Sequence, residues 1–340
     1  MIARLLISLI CVAILSAGLV DSCHAQDTVY VSSGETGVIG YSGEVVSYTG
    51  ERLVLKLSNG TERTFPGNTN IVRIDTQHTA EFREAQVHYD SGEYEQALES
   101  YERALQKESR AWVQRMILEQ IIYCEQSLDH WESAARRFLI LVSSDPKTPY
   151  FPCIPLAWVS DPPLASLERQ ARTWLESQQP VSQLLGASHL LATQRADAER
   201  VLSDLRFHAD QRVAALARMQ LWRTDLHRAD VSRIAGWEKD LERSSHALRA
   251  GGYFLIGSAN VQIRRAEAAA LSLMRVPIHY PRQRRLVARC LIESGRQLEV
   301  LGQTGEATRL YQELVDQFAA FPESAEARSR LDKLAAGQEN

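Results

Sequence analysis

The chain has 340 residues, of which 45% are hydrophobic and 24% are charged. These values are typical of globular proteins, and they exclude both a disordered chain and a membrane protein with several spans. The formal net charge of −4 leaves no excess of basic residues, so we expect no general binding to nucleic acid.

Residues 1–25 have the pattern of a secretory signal peptide. A positively charged start precedes an apolar run from Leu5 to Val20, and Ala25 provides a small residue for cleavage. The run of about 16 residues is short for a membrane span, which needs roughly 20. We therefore expect cleavage after Ala25, a periplasmic or secreted protein, and no stable membrane span. A retained membrane anchor and a lipid-modified Cys23 are the alternatives.

Residues 26–75 are predicted to form a small β module. Apolar and polar residues alternate at 53–57, and Asn59 and Gly60 follow. Asn-Gly is a strong hairpin signal, because both residues tolerate positive φ. About five short strands would form a small barrel or rolled sheet that resembles SH3-like modules. Glycines 34, 37, 40 and 43 are interpreted as tight turns, since no Lys-Ser/Thr pair of a phosphate loop follows them.

After residue 76 the hydrophobic period changes from 2 to 3.6, which indicates helices. Small residues twelve positions apart would let the two helices of a hairpin approach each other, and a large residue four positions later would fill the space between them. The small pairs are Ala85/Ala97, Gly186/Ala198, Gly257/Ala269 and Gly295/Ala307, and the large residues are Tyr101, Leu202, Leu273 and Tyr311.

These spacings, with an aromatic Tyr253 before Gly257 and Pro281 after Leu273, resemble the tetratricopeptide repeat. The resemblance covers roughly residues 78–148 and 182–330, and the C-terminal stretch is similar to tetratricopeptide proteins of the bacterial envelope, including outer-membrane assembly lipoproteins. It implies a mainly α fold, in which a small β-barrel-like module precedes a two-lobed tetratricopeptide-like array of helical hairpins. Such arrays bind proteins or peptides on a concave surface.

Prolines are dense between residues 146 and 163, and no helix tolerates that density. We expect an extended, partly apolar segment that packs on a lobe and partly covers Cys153. The predicted organisation is a signal peptide at 1–25, a β module at 26–75, a tetratricopeptide-like lobe at 76–148, a Pro-rich linker at 149–166 and a C-terminal lobe at 167–340.

The sequence contains no motif of a hydrolase nucleophile, a zinc site, a phosphate loop or a dinucleotide-binding fold. Its histidines are scattered, and no Cys-x-x-Cys pair occurs. We therefore predict no catalytic site, no metal and no cofactor. Cys124 and Cys290 lie in helical runs and are expected to be buried free thiols.

Arginines crowd the start of one repeat, at positions 282, 284, 285, 289 and 296. If the first helix of that hairpin lines the concave surface, Arg289 and Arg296 are candidate anchors for a partner's carboxylates. Phe254 and Ile292 would add apolar contacts. The alternative is a set of solvated salt bridges along the helix, from Arg289 to Glu293 and from Arg296 to Glu293 or Glu299.

The sequence favours a non-enzymatic scaffold of the bacterial envelope that binds a protein or peptide. Two alternatives stay open. One is a permanent structural subunit of an envelope or outer-membrane assembly complex, which would expose large apolar areas along the array. The other is an enzyme of unknown type, in which carboxylates or histidines would converge in a pocket.

Overall fold

The computed structural model describes residues 26–33, 37–67, 71–159 and 161–338. The contacts between residues divide the chain into two compact units, Met1–His78 and Thr79–Asn340. The first unit contains the predicted β module, and the second contains the helices. The predicted signal peptide, residues 1–25, lies outside the described residues.

The first unit holds a five-stranded antiparallel sheet with the strand order β4-β3-β2-β1-β5. Successive residues of a strand face opposite sides, and one side buries Val29, Leu53 and Leu55 completely. The strands are β1 (Asp27–Ser32), β2 (Val38–Tyr48), β3 (Arg52–Lys56), β4 (Glu62–Pro66) and β5 (Ile71–Asp75).

The predicted hairpin at Asn59 and Gly60 is confirmed, because these residues connect β3 to β4 and Gly60 has a φ of +82°. The interpretation of Gly40 and Gly43 as turn residues is wrong, since both lie inside β2. A Cβ atom at Gly43 would lie 2.4 Å from the carbonyl oxygen of Lys56. This glycine therefore allows β2 and β3 to approach closely. The SH3-like identity of the sheet stays a prediction.

The described part of the second unit is an array of fourteen helices, as the fold prediction required. The helices are α1 (Ala80–Asp90), α2 (Tyr94–Lys107), α3 (Ala111–Ser127), α4 (Trp131–Ser144), α5 (Ala165–Leu175), α6 (Pro180–Leu190), α7 (Arg195–Leu205), α8 (Gln211–Asp225), α9 (Val231–Glu242), α10 (Ala250–Gln262), α11 (Ala266–His279), α12 (Arg284–Val300), α13 (Thr304–Gln317) and α14 (Pro322–Gln338).

Four hairpins share the same turn. In each of them one residue between the helices has a positive φ, and the next N–H donates to a carbonyl five residues earlier, as from Glu93 to His88 over 2.9 Å. This is the Schellman motif, which satisfies the last carbonyls of the first helix. The hairpins are α1–α2, α3–α4, α10–α11 and α12–α13, and the residues with positive φ are Gly92, Asp129, Arg264 and Gly302.

The large residues Tyr101, Leu202, Leu273 and Tyr311 are all buried. The predicted filling of the hairpins is confirmed at Leu273 and Tyr311 by their contacts with the paired glycines. A Cβ atom at Gly257 would lie 2.5 Å from Cγ of Leu273, and one at Gly295 would lie 2.3 Å from the ring of Tyr311. The small residue of the first helix thus makes room for the large residue of the second.

Gly186 departs from this pattern. A Cβ atom there would lie 2.4 Å from the backbone nitrogen of Leu175 and 2.6 Å from the carbonyl oxygen of Ala171. Gly186 therefore allows α6 to pack closely on the preceding α5. Its predicted pairing with Ala198 of α7 stays a prediction.

The central part of the Pro-rich segment is extended and buried. A short 3-10 helix, Phe151–Cys153, precedes extended chain, and α5 begins only at Ala165. Cys153 is 1% exposed, so it is more deeply covered than predicted. We call residues 149–159 the strap.

Side chains of α6 and α8 hold the backbone of the strap. His189 Nε2 lies 2.9 Å from the carbonyl oxygen of Pro155, and Gln220 donates to that of Ala157 over 3.1 Å. Ser188 accepts from the Ala157 N–H over 2.8 Å. Because these contacts join the strap to helices on its C-terminal side, both predicted lobes lie within one compact unit. The exact boundaries at 76–148, 149–166 and 167–340 stay predictions.

We predict that replacing Gly257 or Ala269 with leucine destabilises the helical unit. Both positions are buried between α10 and α11, and extra methylenes in a packed site cost roughly 1–3 kcal/mol. Urea unfolding followed by circular dichroism measures the change. Gly236→Leu is the matched control, because nothing lies within 4 Å of a Cβ atom at that helical glycine. Equal stability of the Gly257 and Gly236 variants would contradict the packing of this hairpin.

Candidate functional site

The first and last hairpins of the array contact each other. The Tyr89 hydroxyl, near the end of α1, donates to the carbonyl oxygen of Arg282 over 2.9 Å. The hydroxyl of Tyr94, at the start of α2, accepts from Arg284 Nε over 3.1 Å, and its ring centroid lies 5.6 Å from that of Phe321. The start of α12 is therefore enclosed between the N-terminal and C-terminal ends of the array.

Four arginines at this point, Arg282, Arg284, Arg285 and Arg289, form what we call the arginine clasp. Its central partner is Glu323 in the first turn of α14, which is 4% exposed. Glu323 accepts hydrogen bonds from Arg285 Nη1 over 2.9 Å and pairs with Arg289 Nε at 2.7 Å. A buried carboxylate needs such partners, and the positive end of the α14 dipole adds to them.

The clasp also reaches α3 and the turn that follows it. Arg282 pairs with Glu119 at 3.3 Å, and Arg285 pairs with Asp129 at 3.1 Å. Burial raises the pKa of Glu119 to about 7, although the charge of Arg282 opposes that shift. These ion pairs connect residues of the second hairpin to residues of the last one, so they define two walls of a cleft.

The cleft has a volume of about 610 Å³. It is bounded by the end of α3, the start of α4, the strap, residues 161–164 and the start of α12. A cleft of this size can hold a short segment of a partner chain or a small ligand. Its apolar lining includes Tyr123, Trp131, Ile154, Leu156, Trp158, Leu164, Leu167 and Leu286.

Positive charge prevails in this cleft. Among the described residues its lining includes five arginines, namely Arg136 and the clasp, and three acidic residues, Asp129, Glu132 and Asp161. Arg136 is 62% exposed, and its nearest carboxylate is that of Glu132 at 3.8 Å. Arg289 reaches Asp161 at 3.6 Å in addition to Glu323. The carboxylates of the cleft therefore lie at long ion-pair distances from the guanidinium groups of Arg136 and Arg289.

His189 lies at the inner end of the cleft, where it is buried between the rings of Trp131 and Trp174. Burial, with a further contribution from the charge of Arg223, lowers the pKa of His189 to about 4. The imidazole is therefore neutral at pH 7, and its Nε2–H donates to the carbonyl oxygen of Pro155. This hydrogen bond gives His189 a structural role in holding the strap.

Of the four residues predicted to bind a partner, Arg289 lines the cleft. Arg296 lies elsewhere on α12, where it donates to Glu326 Oε1 over 2.9 Å and to Glu293 Oε2 over 2.7 Å. The salt-bridge alternative therefore describes Arg296, whereas Arg289 pairs with Glu323 and Asp161 rather than with Glu293.

Phe254 and Ile292, the two predicted apolar contacts, are not among the residues that line the cleft with Arg289. Ile292 is 2% exposed and packs in the core. Phe254 is half-buried on α10, outside the lining of the cleft. The predicted partner-binding role of all four residues stays a prediction.

Sequence reasoning missed Arg136, Trp131, Trp158 and Asp161 as neighbours of Arg289 in this cleft. Trp131 is the first residue of α4, and the helical period of this region was the available signal for that wall of the cleft. The others could not be found by spacing, because the strap and the closure of the array bring them together.

The remaining chemistry is sparse. Cys124, Cys153 and Cys290 are free and buried, as expected for Cys124 and Cys290. Burial raises the pKa of each thiol, so none is poised as a thiolate at neutral pH. Within residues 26–33, 37–67, 71–159 and 161–338, no group of three His, Cys, Asp or Glu side chains could hold a metal ion. No helix in those ranges has the length and apolar character needed to cross a membrane.

Comparison with known proteins supports the repeat assignment at one place. Residues 79–111 match the family model of the tetratricopeptide repeat. The match covers α1, α2 and the first residue of α3, which is the hairpin with Gly92 at its turn. No curated protein matches the chain.

We predict that Glu323→Ala destabilises the helical unit, because two guanidinium groups lose their buried acceptor. The expected loss is about 1–3 kcal/mol of unfolding free energy, measured by urea denaturation. Glu306→Ala is the matched control, since Glu306 is also in the first turn of its helix but pairs with Arg309 in solvent. Its cost should be at most about 1 kcal/mol. Equal losses of unfolding free energy in the two variants would show that the clasp does not stabilise the contact between α12 and α14.

We predict a specific pH dependence from His189. The unfolded state takes up a proton near pH 6.5, whereas the folded state does so only near pH 4. The stability that neutral His189 contributes is therefore complete above pH 6.5 and is lost as the pH falls towards 4, by at most about 1.4 kcal/mol per pH unit. Urea unfolding between pH 7 and pH 5 should show a smaller loss for His189→Gln. Parallel curves for the two proteins would contradict this assignment.

Proposed function

We propose that this protein is a non-enzymatic scaffold of the bacterial cell envelope that binds a protein or peptide in its central cleft. Tetratricopeptide repeats generally mediate interactions between proteins, and residues 79–111 match that repeat. The single observation that carries the proposal is the open cleft of about 610 Å³, where indole rings and arginines lie together. Aromatic and arginine side chains are enriched at protein interfaces.

The envelope location rests on the sequence of residues 1–25. Their positively charged start, apolar run and terminal small residue support export from the cytoplasm. We propose that the exported chain starts at Gln26 and works outside the inner membrane.

A permanent structural subunit is the second candidate, and exposed apolar residues of α11 favour it. Leu271 is 63% exposed and Ile278 is 64% exposed. They are seven residues apart, so they lie on the same face of the helix. A stable partner would cover this face instead of entering the cleft.

Site-specific photo-crosslinking in the native host distinguishes the two candidates. We expect a photoreactive amino acid at Leu164, on the exposed rim of the cleft, to give an adduct with one partner protein. The permanent subunit would instead give its adduct from Leu271. Phe207 is the control position, because it is 77% exposed and lies outside the cleft. The absence of adducts from Leu164 would contradict the scaffold with a working cleft.

Mass spectrometry of the protein purified from its host checks the location. The expected N-terminal residue is Gln26, produced by cleavage after Ala25. An N-terminus at Met1 would indicate the retained anchor, and an acylated Cys23 would indicate a lipoprotein. Either result would contradict export with complete removal of the signal peptide.

A further inference from the structure

The strap occupies the deep part of the space between the helices. Phe151 and Leu156 are each 1% exposed. The carbonyl oxygen of Val159 accepts from Arg223, which is itself buried and also donates to the Ser188 carbonyl oxygen over 2.8 Å. Because several of its backbone groups are hydrogen-bonded and its apolar side chains are buried, the strap is an integral part of the fold. A partner would therefore enter the outer cleft, beside the strap.

We propose that this outer cleft binds an extended acidic segment of a partner protein, whose carboxylates pair with Arg136 and Arg289 while its apolar side chains lie on Trp131 and Trp158. The proposal rests on the proposed function and specifies the chemistry of the partner. Three features of the cleft support it: its charge, an internal carboxylate that stands in for the partner, and an apolar floor.

The charge of the cleft favours an acidic ligand. Five arginines face three carboxylates among its described lining residues. Glu119 and Glu323, which do not line the cleft, neutralise part of the charge of the clasp. The guanidinium groups of Arg136 and Arg289 line the cleft. Their nearest cleft carboxylates lie at 3.8 Å and 3.6 Å, whereas a strong guanidinium–carboxylate hydrogen bond is about 2.7–2.9 Å long. A basic segment would gain no ion pair from these two guanidinium groups.

Asp161 acts as an internal competitor for the partner. It follows the strap, is 73% exposed, and approaches Arg289 Nη2 at 3.6 Å. An exposed pair at this distance contributes little stability. A partner carboxylate of better geometry can replace Asp161 without uncovering any buried group. The structure thus shows a carboxylate at the place where we expect one from the partner.

The floor of the cleft distinguishes an acidic polypeptide from other polyanions. Trp131 and Trp158 are half-buried lining residues, and Leu164 is 77% exposed at the rim. In an extended peptide successive side chains point in opposite directions. Alternating acidic and apolar residues would therefore meet the arginines on one side and the indole rings on the other. A nucleic acid offers no aliphatic side chains for this floor, and the three carboxylates of the cleft would repel its phosphates.

The test uses the mature full-length chain and a fluorescein-labelled, acetylated hexapeptide of alternating glutamate and leucine, with fluorescence anisotropy as the readout. The glutamine–leucine hexapeptide is the neutral control, and a single-stranded hexanucleotide is the polyanion control. We expect the acidic peptide to bind at least about tenfold more tightly than either control, with an affinity that falls as salt rises.

Two exposed substitutions make the test specific. Arg136→Ala should weaken binding of the acidic peptide about fivefold, and Asp161→Asn should strengthen it about threefold because the competitor is removed. Neither variant removes a buried group, so both should fold. Arg200→Ala is the matched control, since Arg200 is 68% exposed and pairs with Asp197 outside the cleft. The Arg200→Ala variant should bind the acidic peptide with the same affinity as the wild type.

Equal binding of the acidic and neutral peptides would overturn the proposal, and so would an unchanged or weakened affinity of Asp161→Asn. Tighter binding of the hexanucleotide would assign the cleft to a polyanion instead. These failures differ from failure of the proposed function. If crosslinking at Leu164 identifies a partner but the acidic peptide does not bind, the scaffold stands and only its acidic specificity is wrong.

Discussion

Glu323 lies at the start of α14 with 4% of its side chain exposed, and it pairs with both Arg285 and Arg289 of α12. Removing a carboxylate from water is costly unless its partners are in place, so this pair of contacts permits only one arrangement of the two helices. Arg285 also reaches Asp129, in the turn between α3 and α4. Arg285 therefore links the contact between α12 and α14 to the turn of the second hairpin.

Polar side chains of neighbouring helices hold the strap in place. An extended segment buried among helices must have its backbone groups satisfied, and prolines reduce that demand because they lack an N–H. Its carbonyl groups find donors on α6 and α8, where His189, Gln220 and Arg223 project towards it. These long polar side chains would be costly in an empty core, since each would lack a partner. The strap and the polar residues of these helices therefore stabilise each other.

The arginines at and just before the start of α12 have different roles, although they are close together in the sequence. Arg285 connects buried and exposed carboxylates and has 21% of its side chain exposed, whereas Arg282 is 58% exposed and pairs with Glu119, which is 12% exposed. Arg289 takes part in the structural pair with Glu323 and also faces the cleft. A ligand that approaches it meets a guanidinium group whose orientation is already held by Glu323. Such preorganisation lowers the entropic cost of binding.

Local patterns in the sequence were sufficient for the β3–β4 hairpin and for the terminal helical hairpins, but not for the place of Gly43 in a strand or for the packing of Gly186. The Asn-Gly hairpin, the helical hairpins and the burial of Leu273 and Tyr311 follow from spacings of a few residues, because neighbours in a turn or hairpin are close in the chain. The candidate site was only partly predictable. Arg289 was identified, but its partners Glu323 and Asp161 and its cleft neighbour Arg136 were not. Ion pairs and clefts between residues of different hairpins form only when those hairpins pack against each other, and no local periodicity of the sequence specifies which residues then meet.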